Sequence, residues 1–230
     1  MCGGDGGRWG NHLGRPKHLI KLAGEVVLER TVRQIHARDP EADVVVVVKD
    51  MDGAYNIDGA RRSRAKLDLS REQADKVLSS EHLWSASDRT MLLFGDVWWS
   101  EDAMDLIATD PQPWSVFARF GPSDITGCKH AELFGFGFDP EHRSTIADGA
   151  NRCVDLAKRG ELKFWSGGWQ VYKAAAGCPD HFVCGVKDPN YNTKDLGHSV
   201  TIDDWTDDFD TPADWDRWCW AYSQAEVKPV

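Results

Sequence analysis

What the chain lacks narrows it first. No apolar run approaches the length of a membrane span, and no charged-then-apolar leader precedes the opening glycines, so a cytoplasmic location is the default expectation. No C-x-x-C pair occurs: Cys2, Cys128, Cys153, Cys178, Cys184 and Cys219 are scattered, which argues against a zinc or redox motif and for buried free thiols. Cys178 and Cys184 are near enough in sequence to form a disulfide, but no secretion signal accompanies them. Positive charge is short as well. The 27 Lys and Arg against 37 Asp and Glu leave a formal net charge of −10, which does not favour sequence-independent attraction to nucleic acid, although a local basic patch can coexist with an acidic total. A hydrophobic content of 41% excludes disorder, and 230 residues suit one large α/β domain, or one domain with an inserted subdomain, that buries its core without disulfides or a structural metal. Tryptophan alone is in excess. Its eleven copies read as core and pocket lining, since an indole carries a large apolar area with one donor to satisfy.

The first twenty-two residues organise the rest. Gly3, Gly4, Gly6, Gly7, Gly10 and Gly14 surround a single arginine, Arg8, and Pro16-Lys17 follow. Glycine serves where the backbone takes positive φ or a ligand approaches closely, and such a loop can aim several N–H groups at one phosphate. No Gly-Lys-Ser/Thr closes it, so it is not a P-loop. A glycine-rich surface turn is the alternative reading.

Beyond the loop, Leu28, Val32 and Ile35 at helical spacing predict a helix over 26–37, ended by Pro40. Val44 to Val48 predict a strand buried on both faces. Residues 50–76 are polar, and the basic run at 61–66 reads either as a holder of phosphate or acceptor or as a solvated loop and helix face. Thr90 to Phe94 predict another buried strand with Gly95-Asp96 at its C-terminal end, where open α/β sheets gather ligands. Ser100 is a helix N-cap for a helix reaching about Ala108. Strands are expected at 114–120 and 131–138, and a helix at 140–159 with Ile146, Ala150, Val154 and Ala157 as its stripe. Trp165 to Trp169 read as a glycine-flanked aromatic turn, and Cys184 to Asn192 give no usable signal. Seven acids fall between 203 and 216, usually the mark of a solvated loop, and Thr211-Pro212 is a helix start.

Gly3 to Arg8, Pro16-Lys17-His18-Leu19, Gly24-Glu25, Gly95-Asp96-Val97 and Asp210-Thr211-Pro212-Ala213-Asp214 together resemble the sugar-phosphate nucleotidyltransferases and molybdenum-cofactor guanylyltransferases. The resemblance implies a GT-A-like (nucleotide-diphospho-sugar transferase) fold: a mixed, mostly parallel sheet flanked by helices in one domain over 1–230. Its NTP-binding part would cover roughly 1–110, its acceptor-binding part roughly 111–200 and its metal-binding C-terminal segment roughly 200–225. It further implies that Gly3, Gly4, Gly6, Gly7, Arg8 and Ser80 bind the nucleotide and that Arg8 and Lys17 are catalytic. Asp96 and Asp210 would carry Mg²⁺ or Mn²⁺, and Gly127 and Glu132 would face the acceptor. Glu132 reads equally as an ordinary edge-strand carboxylate.

The partners implied are an NTP and a phosphorylated small-molecule acceptor such as a sugar phosphate, with no membrane involved; the oligomeric state stays open. Relatives carry a strand before the glycines where this chain has only Met1 and Cys2, so either the sheet begins with a stub or the start lies upstream. Asp208-Phe209-Asp210 spells the D-x-D of GT-A glycosyltransferases, but Asp96 holds the matching position, and the triplet reads as coincidence. A glycosyltransferase using a nucleotide sugar is the second expectation, and a non-catalytic nucleotide-binding protein the third.

Overall fold

The computed structural model describes Cys2 and residues 7–49, 51, 53–66, 73–162 and 167–226. Gly3, Gly4 and Gly6, expected to bind phosphate, lie outside the described residues, as do Trp165 and Ser166 of the expected aromatic turn.

In chain order, a short hairpin of β1 (Lys21–Leu22) and β2 (Glu25–Val26) leads into α1 (Val27–Arg38). The valine run forms β3 (Val45–Val48), paired in parallel with β4 (Arg61–Arg64). The basic stretch is therefore a strand rather than a solvated loop. Polar side chains disguise it, yet its backbone takes the ladder beside β3. Cys2 N donates to Val47 O at 2.9 Å, so Cys2 lies beside β3.

Next come α2 (Gln73–Leu78), β5 (Thr90–Leu93), β6 (Val97–Trp98) and α3 (Glu101–Ala108), the last capped by Ser100 Oγ accepting from Ala103 N at 2.9 Å. Strands β7 (Trp114–Arg119) and β8 (Glu132–Phe138) precede α4 (Arg143–Lys158), α5 (Gly167–Ala175) and α6 (Asp180–Val183). The chain finishes with β9 (Ser199–Thr201), β10 (Asp207–Asp208) and α7 (Pro212–Glu226). Trp169 thus sits within a helix that starts at Gly167, not in a turn.

The central sheet runs in the order β5-β8-β7-β9. Of its ladders only β7–β9 is parallel, and both ladders made by β8 are antiparallel. The mostly parallel sheet expected from the resemblance is therefore not what the described ladders form. β7 and β8 are joined by a loop with no helix in it, and a parallel neighbour requires a crossover. The connection from β8 to β9 passes through α4 to α6 and does bring β9 in parallel to β7.

The two faces of the central sheet split the core, by alternation along each strand except at one bulge. Val116, Ala118, Phe136 and Phe138 face α4 and α5 along with Ile146, Ala150, Cys153 and Leu156, while Phe117 and Phe134 face α3 with Trp99, Met104 and Ile107. The buried stripe of α4 is rotated from the expected one, with Cys153 and Leu156 inside and Val154 and Ala157 half-buried at its margin. Opposite the Phe117–Ala118 step, β8 carries one extra residue, Phe134, between Leu133 and Gly135, and this bulge turns Phe134 to the face opposite Phe136 and Phe138. All six cysteines are free thiols, Cys178 and Cys184 included. Among the described residues no helix is long and apolar enough to cross a membrane.

Candidate active site

Four separated segments supply the charged centre. The first is the loop carrying Arg8. Gly10 (φ 62°), Asn11 (φ 57°), Leu13 (φ 60°) and Gly14 (φ 65°) take left-handed backbone, so the chain doubles back tightly. Trp9 pins it: the indole is buried, and its Nε1 donates to His12 O at 3.1 Å and Arg15 O at 3.0 Å. That ring belongs to the same apolar cluster as Trp98, Phe209 and Trp218, which lie under the other half of the site. Arg8, its neighbour, projects outward with 67% of its side chain exposed and reaches Asp210 Oδ2 at 2.6 Å.

Pro16 fixes an extended backbone before a single 3-10 turn, Lys17–Leu19, that turns Lys17 inward. The Lys17 side chain is only 10% exposed, and its Nζ lies 2.5 Å from Asp96 Oδ2 and 3.0 Å from Asp210 Oδ1. Those two carboxylates outweigh burial and hold the ammonium well above its ordinary pKa, and Lys17 in return holds Asp96 well below the usual carboxylate range. The adjoining His18 is buried with Nδ1 3.2 Å from the Tyr55 hydroxyl, and burial lowers its pKa to about 4.

Asp96 and Asp210 meet through a two-stranded ribbon. β6 pairs with β10 in antiparallel register, and Phe209 N donates to Asp96 O at 3.3 Å, continuing the ladder one step. Alternation along β10 then sorts the acidic run. Asp207 and Phe209 point into the protein, and Asp208 and Asp210 point to the same side as Asp96. Asp96, Asp208 and Asp210 each present a carboxylate oxygen within 4.8 Å of one another.

Asp208 is the functional candidate that sequence reasoning passed over. The signal was present in the D-x-D spacing, since period two in a strand puts both carboxylates on one face. Among the described residues no cation pairs with it. Burial first, and then Glu132, Asp210 and Asp96, push its pKa well above the ordinary value. Glu132, at the start of β8, is raised to about 7 by burial and by Asp207 and Asp210.

Asp207 has a different task. It is fully buried and receives Arg119 Nη2 on Oδ1 at 3.0 Å and Arg217 Nη2 on Oδ2 at 2.8 Å. Arg119 Nη1 also donates to Thr206 O, and Arg217 donates to Asp214 Oδ1 and Thr126 O. This clamp ties β10 to β7 and α7. Thr211 caps α7 reciprocally with Asp214, and Asp204 accepts from Ser100 Oγ and Thr206 N. Asp204, Asp207 and Asp214 are therefore committed to structure, while Asp208 and Asp210 face the site and Asp203 and Asp216 are exposed.

Gly127 (φ 73°) lies against the Arg217 stem, on the clamp rather than among the three carboxylates. Ser80 is buried in its own turn, its hydroxyl donating to Val77 O and accepting from Trp84 Nε1. Gly7 is exposed beside Arg8. The structure therefore gathers Arg8, Lys17, Asp96 and Asp210 at one point, with Asp208 beside them. It sets Gly127 and Ser80 apart in packing roles of their own.

Three carboxylates that share one site repel, and a hard divalent cation with oxygen preference suits that donor set. An exposed guanidinium and an ammonium beside such a cluster suit a polyphosphate.

No protein-family model matches the chain, and no curated protein does so. Among solved structures, a CTP:phosphocholine cytidylyltransferase from Streptococcus pneumoniae superposes with a TM-score of 0.56 over 96% of this chain and 96% of its own, at 11% identity. The chain is similar to that enzyme in fold, a mixed α/β arrangement of the GT-A-like kind.

Proposed function

We propose that the chain is a nucleotidyltransferase: it transfers a nucleoside monophosphate from an NTP to a phosphorylated small-molecule acceptor and releases pyrophosphate. The observation that carries this reading is the convergence of Arg8, Lys17, Asp96 and Asp210, drawn from across the sequence and joined by three salt bridges, Arg8–Asp210, Lys17–Asp96 and Lys17–Asp210. Likeness of fold to a cytidylyltransferase supports it.

In such a transfer the protein positions the reactants and neutralises charge, and forms no covalent bond itself. Arg8, exposed at the end of its long stem, would hold the β- and γ-phosphates and the departing pyrophosphate. Lys17 would meet the charge that builds at the α-phosphate as the acceptor oxygen approaches. The loop glycines would offer N–H donors, and Glu132 would border the acceptor. Asp96, Asp208 and Asp210 would hold Mg²⁺, or Mn²⁺ in its place, which lowers the repulsion between the two phosphates.

One observation favours a second reading. Asp208 and Asp210 stand side by side with Asp96, so the D-x-D is part of the same cluster, as a glycosyltransferase that holds a nucleotide sugar would use it. The products separate the two. Protein is incubated with each of five NTPs, Mg²⁺ and a panel of sugar phosphates and phospho-alcohols, and in parallel with nucleotide sugars. Pyrophosphate release from one NTP supports nucleotidyl transfer. Release of a nucleoside diphosphate from a nucleotide sugar overturns it.

A further inference from the structure

We propose that the Lys17 ammonium is a resident counter-cation that occupies the space between Asp96 and Asp210 which a divalent cation takes. It leaves only when a nucleotide's phosphates offer it a new partner. This rests on the reading of the site as a place where metal and nucleotide meet.

The geometry requires the exchange. Lys17 Nζ is 2.5 Å from one carboxylate and 3.0 Å from the other, and both carboxylates belong to the triangle whose oxygens lie within 4.8 Å. A divalent ion seated in that triangle would stand a few ångströms from the ammonium, a repulsion of several kcal/mol even at an effective dielectric constant of ~20. Lys17 cannot simply swing into water, because its side chain is 10% exposed and its backbone is set by the turn after Pro16. Expelled by metal alone it would be a buried, unpaired charge, which is costly. Phosphate oxygens arriving beside Arg8 supply the missing partner.

Metal and nucleotide are thereby coupled: each strengthens the other, and the free protein holds the cation weakly. Asp208 fits the same account. Lys17 and Arg8 serve Asp96 and Asp210, and among the described residues Asp208 has no cation of its own, so it is the ligand left for the incoming ion.

The probe is Mn²⁺ alone, titrated into nucleotide-free protein and followed by the electron paramagnetic resonance signal of the free ion. Wild type is compared with Lys17→Met and Lys17→Gln, which remove the charge and nearly keep the length. Both variants should bind Mn²⁺ about tenfold more tightly or better, equivalent to ~1.4 kcal/mol. Adding Asp208→Asn to either should cancel the gain and so place the ion on the cluster. Equal or weaker Mn²⁺ binding in both variants overturns the proposal. Should the variants lose their circular dichroism without cation, recovery on adding Mn²⁺ supports it, and no recovery overturns it.

The measurement needs no nucleotide. A protein that binds no NTP but shows the Lys17 effect would refute the functional reading and leave the competition for the carboxylates standing.

Discussion

Asp207 and Asp208 are adjacent acids in one short strand, and replacing each by asparagine should move stability in opposite directions. Asp207 is fully buried between Arg119, 2% exposed, and Arg217. Asp207→Asn keeps the volume and one acceptor oxygen but strips the charge that justifies a buried guanidinium. Breaking a buried pair by removing one partner costs ~3–5 kcal/mol. The retained acceptor and the partly exposed Arg217 argue for the lower end, about 3 kcal/mol, or roughly 6–12 °C in melting temperature for a domain of this size. Asp208 faces Asp96, Asp210 and Glu132 with no described cation of its own. Asp208→Asn relieves that repulsion, and in metal-free buffer the melting temperature should rise, by about 1 kcal/mol of stability. Scanning calorimetry or dye-based thermal shift in EDTA measures both. If Asp207→Asn melts within 1 °C of wild type, or if the two variants shift in the same direction, the division of labour along β10 is wrong.

Two further outcomes follow from single residues. His18 has a folded pKa of about 4 against an ordinary value of 6.5, so the folded state binds fewer protons between these limits and its neutral ring favours folding at high pH. That contribution is complete above pH 6.5 and is lost as pH falls towards 4. It amounts to ~3 kcal/mol at most, and urea denaturation of His18→Gln should show a correspondingly flatter pH dependence over this window, whereas an unchanged slope would remove His18 as its source. Gly137 has no room for a side chain, since a Cβ there would lie 2.8 Å from Phe117 Cζ and 3.0 Å from Arg89 Nη2. Gly137→Ala should cost ~1–3 kcal/mol in chemical denaturation, and a neutral result would mean that the β7–β8 layer yields more than its packing suggests.

Much of this fold was legible because its elements carry local chemical signs. The valine run is β3, Leu28 and Val32 sit in α1, and Ser100 and Thr211 cap α3 and α7 as their side chains suggest. Asp96 and Asp210 stood out by their neighbours, glycine before one and Thr-Pro after the other. Elements whose state depends on distant partners were hidden. β4 is written in arginines, and only pairing to β3 makes it a strand. The phase of α4 was misplaced because Cys153 reads as a weak apolar residue, yet it is fully buried against the sheet. Strand direction in the central sheet depends on which strand inserts between β5 and β7, and composition does not encode that. Asp208 was lost in an acidic run whose members differ only by the side of the strand on which they emerge. The clamp of Arg119 on Asp207 spans 88 positions, beyond any local pattern.

The central claim is that four distant charged residues serve one triphosphate, and Asp96→Ala tests it most directly. Pyrophosphate release is measured with the preferred NTP, acceptor and Mg²⁺, alongside circular dichroism to verify the fold. The account expects turnover to fall by about a hundredfold or more with the fold retained. A folded Asp96→Ala protein that releases pyrophosphate at the wild-type rate would contradict it.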